Sequence, residues 1–235
     1  MTMNIIIIVL IIIIIIILLM IGVTMICVNN FVNIKSNQIF GYTDASSNYI
    51  HPTILPNILT SDQIKNIINY CSKNLSQSLV ISGRNDSVRN SRQSWINKND
   101  PLVKPIFEYL SKLYNIPFEN AEDLQVIKYE PNQYYKEHHD SCCDNVDSCH
   151  NFVKNGGQRI LTVLIYLNNT FEGGETYFKN LNIKMKAPPG SAIVFYPLAF
   201  NSKLCHPNAL HAGLPVTKGE KWVANVWFRE KKFEI

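Results

Sequence analysis

Residues 134–143 read YYKEHHDSCC and bring two histidines, one aspartate and two cysteines into one short stretch. If the backbone is extended here, successive side chains point to opposite faces of the strand. His138 and Asp140 then share one face, and His139 points to the other. One imidazole and one carboxylate do not hold a metal ion firmly, so we expect a third ligand from a distant strand.

His211 is the candidate for that third ligand. It opens residues 211–230, HAGLPVTKGEKWVANVWFRE, which enter the last predicted strands. In a jelly roll, a strand this late in the chain can return to the mouth that holds Asp140. Two histidines and one carboxylate on one face leave the other side of an octahedron open, as in the facial triad of non-haem Fe(II) sites. We therefore predict an iron site formed by His138, Asp140 and His211.

Short runs of alternating apolar and polar residues dominate the chain after residue 120. Gly-Gly, Pro-Pro-Gly and Asn pairs separate these runs, and this pattern favours an all-β sandwich or jelly roll with helices packed against it. The predicted strands are residues 124–129, 160–167, 175–178, 191–196 and 222–228.

Two amphipathic helices are predicted before the strands. Residues 60–63, TSDQ, match a capping box and predict a helix over residues 61–73. A second helix is predicted to begin at Asp100-Pro101, with the proline at the first helical position, and to end before Pro117. Its predicted apolar stripe consists of Leu102, Ile106, Leu110 and Leu113.

Composition and charge indicate one folded domain behind an apolar N-terminal run. The net charge is +4, and the basic residues are scattered rather than clustered, so we expect no nucleic-acid partner. Residues 5–28 are uncharged, long enough to span a bilayer and longer than a typical signal-peptide core. We predict a membrane anchor at residues 1–28, with a signal peptide as the alternative, a linker at 29–50 and a folded domain at 51–235.

The cysteines leave two interpretations open. No CxxC pair occurs, so a structural zinc site is not expected. Cys142, Cys143 and Cys149 suit a small disulfide loop in an oxidising lumen, or they are free thiols in the cytosol.

Residues 55–230 resemble Fe(II)- and 2-oxoglutarate-dependent dioxygenases of the prolyl 4-hydroxylase family, especially the compact members from algae, plants and large DNA viruses. The resemblance implies an α+β, mainly β fold: a double-stranded β-helix, or jelly roll, with packed N-terminal helices. The matching segments occur in the family's order. They are YEPNQYYKEHHD (129–140), GGQRILTVLIYLN (156–168), FEGGETYF (171–178) and HAGLPVTKGEKWVANVWFRE (211–230).

The resemblance also implies roles for single residues. The three ligands predicted above match the family's iron ligands. Lys221 matches the lysine that pairs with the far carboxylate of 2-oxoglutarate, and Tyr129 and Thr176 match hydroxyl positions that help to hold it. The implied cofactors are Fe(II), 2-oxoglutarate as cosubstrate and L-ascorbate.

On the substrate side, Tyr135, Arg159 and Trp227 match positions that face the peptide. One residue departs from the family pattern. Family members often have W-x-H-E where this chain has WFRE at residues 227–230, so Arg229 replaces a histidine. This replacement bears on peptide preference rather than on iron chemistry.

The implied function is that of a peptidyl-proline 4-hydroxylase acting on Pro-rich or collagen-like chains. A hydroxylase of another residue, such as lysine, or of a small molecule is the first alternative. A non-catalytic binding module on the same fold is the second. The resemblance and the apolar N-terminal run together predict a single-pass membrane protein with its catalytic domain in the lumen of the endoplasmic reticulum.

Overall fold

The structure is a computed structural model that describes residues 49–80, 83, 85–142, 147–199 and 204–234. The predicted anchor at residues 1–28 and nearly all of the predicted linker lie outside the described residues. No helix in the described part of the chain is long and apolar enough to cross a membrane.

The described residues contain three α-helices, three short 3-10 helices and thirteen β-strands. The helices are α1 (Ser61–Cys71), α2 (Lys104–Tyr114) and α3 (Asp147–Lys154). The strands are β1 (Thr53–Leu55), β2 (Ser76–Gln77), β3 (Arg92–Ile96), β4 (Leu124–Tyr129), β5 (Tyr135–His138), β6 (Arg159–Tyr166), β7 (Phe171–Gly173), β8 (Thr176–Phe178), β9 (Ile183–Met185), β10 (Ala192–Phe195), β11 (His211–Gly213), β12 (Val216–Gly219) and β13 (Lys221–Arg229).

Eleven of the strands form two antiparallel sheets that face each other, the jelly roll expected from the sequence, and the other two form a small separate sheet. The larger sheet has the order β1-β10-β6-β13-β4-β3-β2, the smaller has the order β5-β11-β8-β9, and β12 pairs with β7. Apolar side chains from both sheets share one core, in which Phe178 of β8 packs edge-on against Phe195 of β10 with ring centroids 5.1 Å apart. The predicted strand runs match the observed strands to within one residue at each end.

A second core lies on the other face of the larger sheet, where the helices pack. Ile67 of α1 and Phe107 of α2 are fully buried there together with Ala224 of β13. The neighbouring Val223 belongs to the core between the sheets. The central strand β13 is therefore buried on both faces, which is why its sequence is almost continuously apolar.

Helix α1 begins with the predicted capping box. The Gln63 amide N–H donates to Thr60 Oγ1 at 3.3 Å, and the Thr60 amide N–H donates to Gln63 Oε1 at 2.9 Å. These bonds satisfy amide groups that the first helical turn leaves without helical partners. The helix ends at Cys71, within the usual uncertainty of a helix end.

Helix α2 begins later than the sequence predicted. Asp100 closes a separate turn instead: its carboxylate accepts from the Leu102 amide at 2.9 Å, and its carbonyl accepts from the Lys104 amide. The proline in the first helical turn is therefore Pro105 rather than Pro101. The predicted apolar stripe is also partly wrong, since Leu113 is 45% exposed.

Strand β5 is shorter than the extended segment assumed for residues 134–140. It ends at His138, so Asp140 lies just beyond the strand rather than within it. Strict alternation of side chains therefore does not extend to His139 and Asp140.

Candidate active site

Pairing of two strands brings the predicted metal ligands together. His211 of β11 lies directly opposite His138 of β5 in the smaller sheet. Asp140 follows β5 and places its Oδ1 atom 3.7 Å from His138 Nε2 and 3.9 Å from His211 Nε2. One donor atom from each residue lies within 4.8 Å of the others, a spacing at which three side chains can share one metal ion.

The two histidines present the nitrogen that a metal needs. His138 Nδ1 lies 2.8 Å from the Lys136 carbonyl oxygen, and His211 Nδ1 lies 2.9 Å from the Ala209 carbonyl oxygen. A carbonyl only accepts hydrogen bonds, so each Nδ1 carries the proton and each Nε2 keeps a free lone pair. Burial, with His211 as a further cause, holds the pKa of His138 well below its usual value, which keeps this ligand neutral.

The carboxylate of Asp140 is oriented by two donors. Its Oδ2 atom accepts from the Thr162 hydroxyl at 2.7 Å and from the Trp227 indole Nε1–H at 3.1 Å. Burial would raise its pKa, but His211, His138 and other groups outweigh burial and lower the pKa to about 2. The ionised Oδ1 atom then faces the two imidazoles. This donor set fits Fe(II).

His139 is not a member of the ligand cluster. It nevertheless borders the same cavity, whereas strict alternation would have turned it away. The cause is the end of β5 at His138, after which the chain no longer follows a strand.

Lys221 lies in the same cavity, in the larger sheet. It is the first residue of β13 and pairs with Tyr129 of β4. Its ammonium nitrogen is 5.1 Å from the Tyr129 ring centroid and 5.2 Å from the Tyr166 ring centroid, and the residue is 2% exposed. Burial lowers the pKa of Lys221 to about 7, although Glu175 acts in the opposite direction. In the described part of the chain no carboxylate forms an ion pair with Lys221, so an acidic ligand would supply a missing charge.

Thr176 completes this end of the cavity. It begins β8, and its hydroxyl lies 2.9 Å from the Tyr166 hydroxyl. The preceding Gly-Gly pair explains how the chain turns here: both glycines have positive φ, +67° and +65°. A Cβ on Gly173 would lie 2.5 Å from the Pro215 carbonyl oxygen, and one on Gly174 would lie 3.3 Å from Lys221 Cδ. The positive φ favours glycine at both positions, and the approach to the Pro215 backbone also excludes a side chain at Gly173.

The three residues expected to face a substrate also border the cavity, which has a volume of about 330 Å³. The Tyr135 ring stacks on the ligand His138 with centroids 3.5 Å apart. The Arg159 guanidinium lies 3.4 Å from the Trp227 ring centroid. Since Trp227 also donates to Asp140, its indole links the cavity mouth to the metal cluster.

Glu122 is a site residue that the sequence analysis missed. It is 4% exposed, and its two carboxylate oxygens accept from Arg159 Nε at 2.6 Å and Nη2 at 2.8 Å. Arg229 Nε donates to the same carboxylate at 2.7 Å. Burial would raise the pKa of Glu122, but the two guanidinium groups outweigh burial and lower it. One carboxylate therefore fixes two arginines beside the cavity.

Arg229, the departure from the family pattern, is also held by backbone carbonyls. Its Nη1 donates to Phe152 of α3 at 2.9 Å and to Gly157 at 2.7 Å. The side chain thereby ties α3 and the following turn to the end of β13.

Cys142 and Cys149 form a disulfide near the start of α3. For this pair, the structure supports a disulfide rather than free thiols.

A jelly roll that carries an open His-Asp-His cluster has the facial triad of a non-haem Fe(II) oxygenase, and the buried lysine in the same cavity offers a binding group for an acidic cosubstrate. A sequence profile described as the 2OG-Fe(II) oxygenase superfamily matches residues 124–229. The chain is 53% identical over 215 residues to a protein of Acanthamoeba polyphaga mimivirus assigned to the prolyl 4-hydroxylases, an alignment that covers 88% of this chain and 89% of that protein. Prolyl 4-hydroxylase 2 of Arabidopsis thaliana is 34% identical over 203 residues, which cover 75% of this chain and 66% of the plant protein.

Among solved structures, the fold is similar to that of a viral collagen prolyl hydroxylase from Paramecium Bursaria Chlorella virus-1 in complex with 2OG. The TM-score is 0.61 at 29% identity, with 77% of this chain and 96% of that chain covered. The chain belongs to the prolyl 4-hydroxylase family of the 2OG-Fe(II) oxygenases. It is a dioxygenase that uses Fe(II) and 2-oxoglutarate.

Proposed function

We propose that this prolyl 4-hydroxylase oxidises prolyl residues of Pro-rich or collagen-like polypeptides. The observation that carries the proposal is the cavity itself, in which the metal cluster lies beside an aromatic and apolar mouth. Trp95 and Leu79 border this mouth and are 42% and 51% exposed, and Tyr135 stacks on a ligand histidine. Aromatic-lined grooves are a recurrent means of binding Pro-rich chains.

Different residues of the site would bind the metal ion and the cosubstrate. His138, Asp140 and His211 would hold Fe(II), while Lys221, with the hydroxyls of Tyr129 and Thr176, would bind the far carboxylate of 2-oxoglutarate. The Lys221 ammonium suits one end of a diacid whose other end reaches the metal.

When bound, Fe(II) and 2-oxoglutarate supply the oxidation of a C–H bond by O2, with release of succinate and CO2. The protein orients the ligands, excludes water and aligns the prolyl ring. Thr162 and Trp227 keep the Asp140 carboxylate in place. Tyr135, Arg159 and Trp227 are the proposed peptide contacts. We include L-ascorbate as the reductant that maintains Fe(II).

Peptide mass spectrometry tests the proposed substrate class. The purified chain is incubated with Fe(II), 2-oxoglutarate and ascorbate, together with Pro-rich, collagen-like and lysine-containing peptides. We expect one added oxygen atom on prolyl residues and none on lysine. Oxygen on lysine would point to the alternative hydroxylase, and an absence of 2-oxoglutarate consumption would point to a binding module.

We also propose that residues 5–28 anchor the enzyme in the membrane with the catalytic domain in the lumen of the endoplasmic reticulum. The length of the apolar run and the Cys142–Cys149 disulfide support this proposal. Protease protection in sealed microsomes tests it. Digestion of the domain without detergent would contradict a lumenal location.

A further inference from the structure

Arg89 is a buried cation in the wall of the active-site cavity. It is 4% exposed; its Nε donates to Ser91 Oγ at 3.1 Å and its Nη1 donates to the Leu79 carbonyl at 3.1 Å. The guanidinium also interacts with the Tyr129 hydroxyl, but its Nη2 atom has no hydrogen-bond partner among the described residues. A buried N–H group without an acceptor is costly, so a ligand that supplies an acceptor here gains affinity.

The charge of Arg89 is also uncompensated. Within the described ranges, Arg89 forms no ion pair, and the buried acids nearby are already engaged. Glu122 is shared by Arg159 and Arg229, and Asp140 also attracts the Arg159 guanidinium. Asp140 faces the two ligand histidines. Three arginines, Arg89, Arg159 and Arg229, therefore face two buried acids, and within the described residues Arg89 is the arginine without an acidic partner.

Arg89 lies close enough to the metal site to contact a residue that flanks the target proline. Its guanidinium carbon lies 4.6 Å from the Tyr135 ring centroid, and that ring lies 3.5 Å from the ring of His138. The guanidinium is thus one aromatic ring away from a metal ligand. An extended peptide advances by about 3.3–3.6 Å per residue. A residue immediately beside the target proline can therefore reach Arg89.

We propose that Arg89 makes the enzyme prefer prolines that are flanked by an aspartate or glutamate. This inference rests on the proposed peptidyl-proline substrate. A backbone carbonyl would satisfy the free N–H group but would leave the buried charge unpaired. A carboxylate satisfies both and forms a charge-assisted hydrogen bond, which is stronger than a neutral one.

Paired peptides that differ in one side chain test this proposal. Two Pro-rich series carry Glu or Gln either immediately before or immediately after the target proline. For one of the two positions we expect kcat/KM to be about tenfold higher with Glu than with Gln, as for one charge-assisted bond. Peptide affinity, measured by calorimetry without O2, should show the same ratio.

Three variants assign the preference to Arg89. Arg89→Gln should reduce the Glu/Gln ratio to about one, and Arg89→Lys should retain part of it because the charge remains. Arg92→Gln is the matched control, since this exposed arginine donates to the Leu75 carbonyl outside the cavity and should leave the ratio unchanged.

Equal rates for Glu and Gln peptides in the wild-type enzyme would overturn the proposal. So would an equal loss for both peptides in Arg89→Gln, which would indicate a carbonyl contact only. In either case hydroxyproline still forms, so the proposed function survives. If no peptide gains hydroxyproline while 2-oxoglutarate is consumed, the proposed function fails and this inference fails with it.

Discussion

At the scale of single residues, the Asp140 carboxylate receives hydrogen bonds from Thr162 and Trp227 on one oxygen and presents the other to the two histidines. Asp140 and the two histidines would therefore bind the metal, whereas Thr162 and Trp227 only orient the Asp140 carboxylate. Loss of an orienting group usually costs about ten- to a hundredfold in metal affinity, which is less than loss of a ligand.

We therefore expect a graded series of variants. His138→Ala, Asp140→Ala and His211→Ala should each abolish both metal binding and turnover. Thr162→Val should weaken metal binding by about ten- to a hundredfold. His139→Ala is the matched control and should retain most activity, because His139 is outside the ligand cluster. Metal titration and succinate release measure both effects. An inactive His139→Ala together with an active His138→Ala would contradict the ligand assignment.

Lys221→Ala should raise the KM for 2-oxoglutarate far more than it changes the KM for peptide. Loss of one partner of a buried, charge-assisted pair costs on the order of 2–5 kcal/mol, or roughly tenfold to several thousandfold. Lys218→Ala is a suitable control, since the exposed Lys218 pairs with Glu172 at 3.1 Å and does not border the cavity. Steady-state kinetics at varied 2-oxoglutarate test the prediction. An unchanged KM would remove Lys221 from the cosubstrate site.

The buried position of Lys221 also predicts a pH dependence. Its pKa is lowered to about 7, so the free enzyme loses the ammonium charge as the pH rises through that value. A dicarboxylate prefers the protonated amine. The kcat/KM for 2-oxoglutarate should therefore fall above about pH 7, because this parameter reports groups of the free enzyme. Lys221→Arg, which stays charged, should lack this decline. A flat profile for the wild-type enzyme up to pH 9 would contradict the prediction.

The sequence could predict the metal ligands because HxD and a distal histidine follow a local pattern that matches a known family. It could not reveal Glu122, which lies in an unremarkable polar segment. Glu122 meets Arg159 and Arg229 only after folding, across sequence separations of 37 and 107 residues. For Trp227, the resemblance implied a position that faces the peptide. The structure adds a hydrogen bond from its indole to Asp140.

At the scale of elements, Glu122 joins the segment before β4 to the start of β6 and the end of β13. Glu122→Gln should lower the free energy of unfolding by about 3–5 kcal/mol, because two buried guanidinium groups lose their counter-charge. Glu108→Gln is the control: this exposed residue pairs with Lys104 on α2, and such pairs contribute about 0.3–0.5 kcal/mol. Urea unfolding measures both. Equal destabilisation by the two variants would contradict the account.

The elements differ in how far the sequence determined them. The capping box placed the start of α1 correctly because Thr60 and Gln63 satisfy each other locally. Asp100-Pro101 looked like a helix start, but the Asp100 side chain bonds to the Leu102 amide and closes its own turn. Both patterns use the same residue types. The two differ in the backbone that follows: the chain is helical directly after Thr60, but after Asp100 it becomes helical only from Lys104.

At the scale of the whole molecule, alternation predicted two packed layers but not the strand order. That order depends on non-local pairing, such as His211 beside His138 on one sheet and Lys221 beside Tyr129 on the other. The cavity between the sheets exists only because both pairings occur together. Its two ends, a metal cluster and a buried cation, are the basis for assigning iron- and 2-oxoglutarate-dependent hydroxylation.

Isotopic labelling of O2 during turnover tests this assignment most directly. The full chain is given Fe(II), 2-oxoglutarate, ascorbate and a Pro-rich peptide under isotopically labelled O2, and both products are analysed by mass spectrometry. We predict one labelled oxygen in 4-hydroxyproline and one in succinate, formed in equal amounts. Unlabelled hydroxyproline, or labelled succinate with no hydroxyproline on any prolyl peptide, would contradict the assignment.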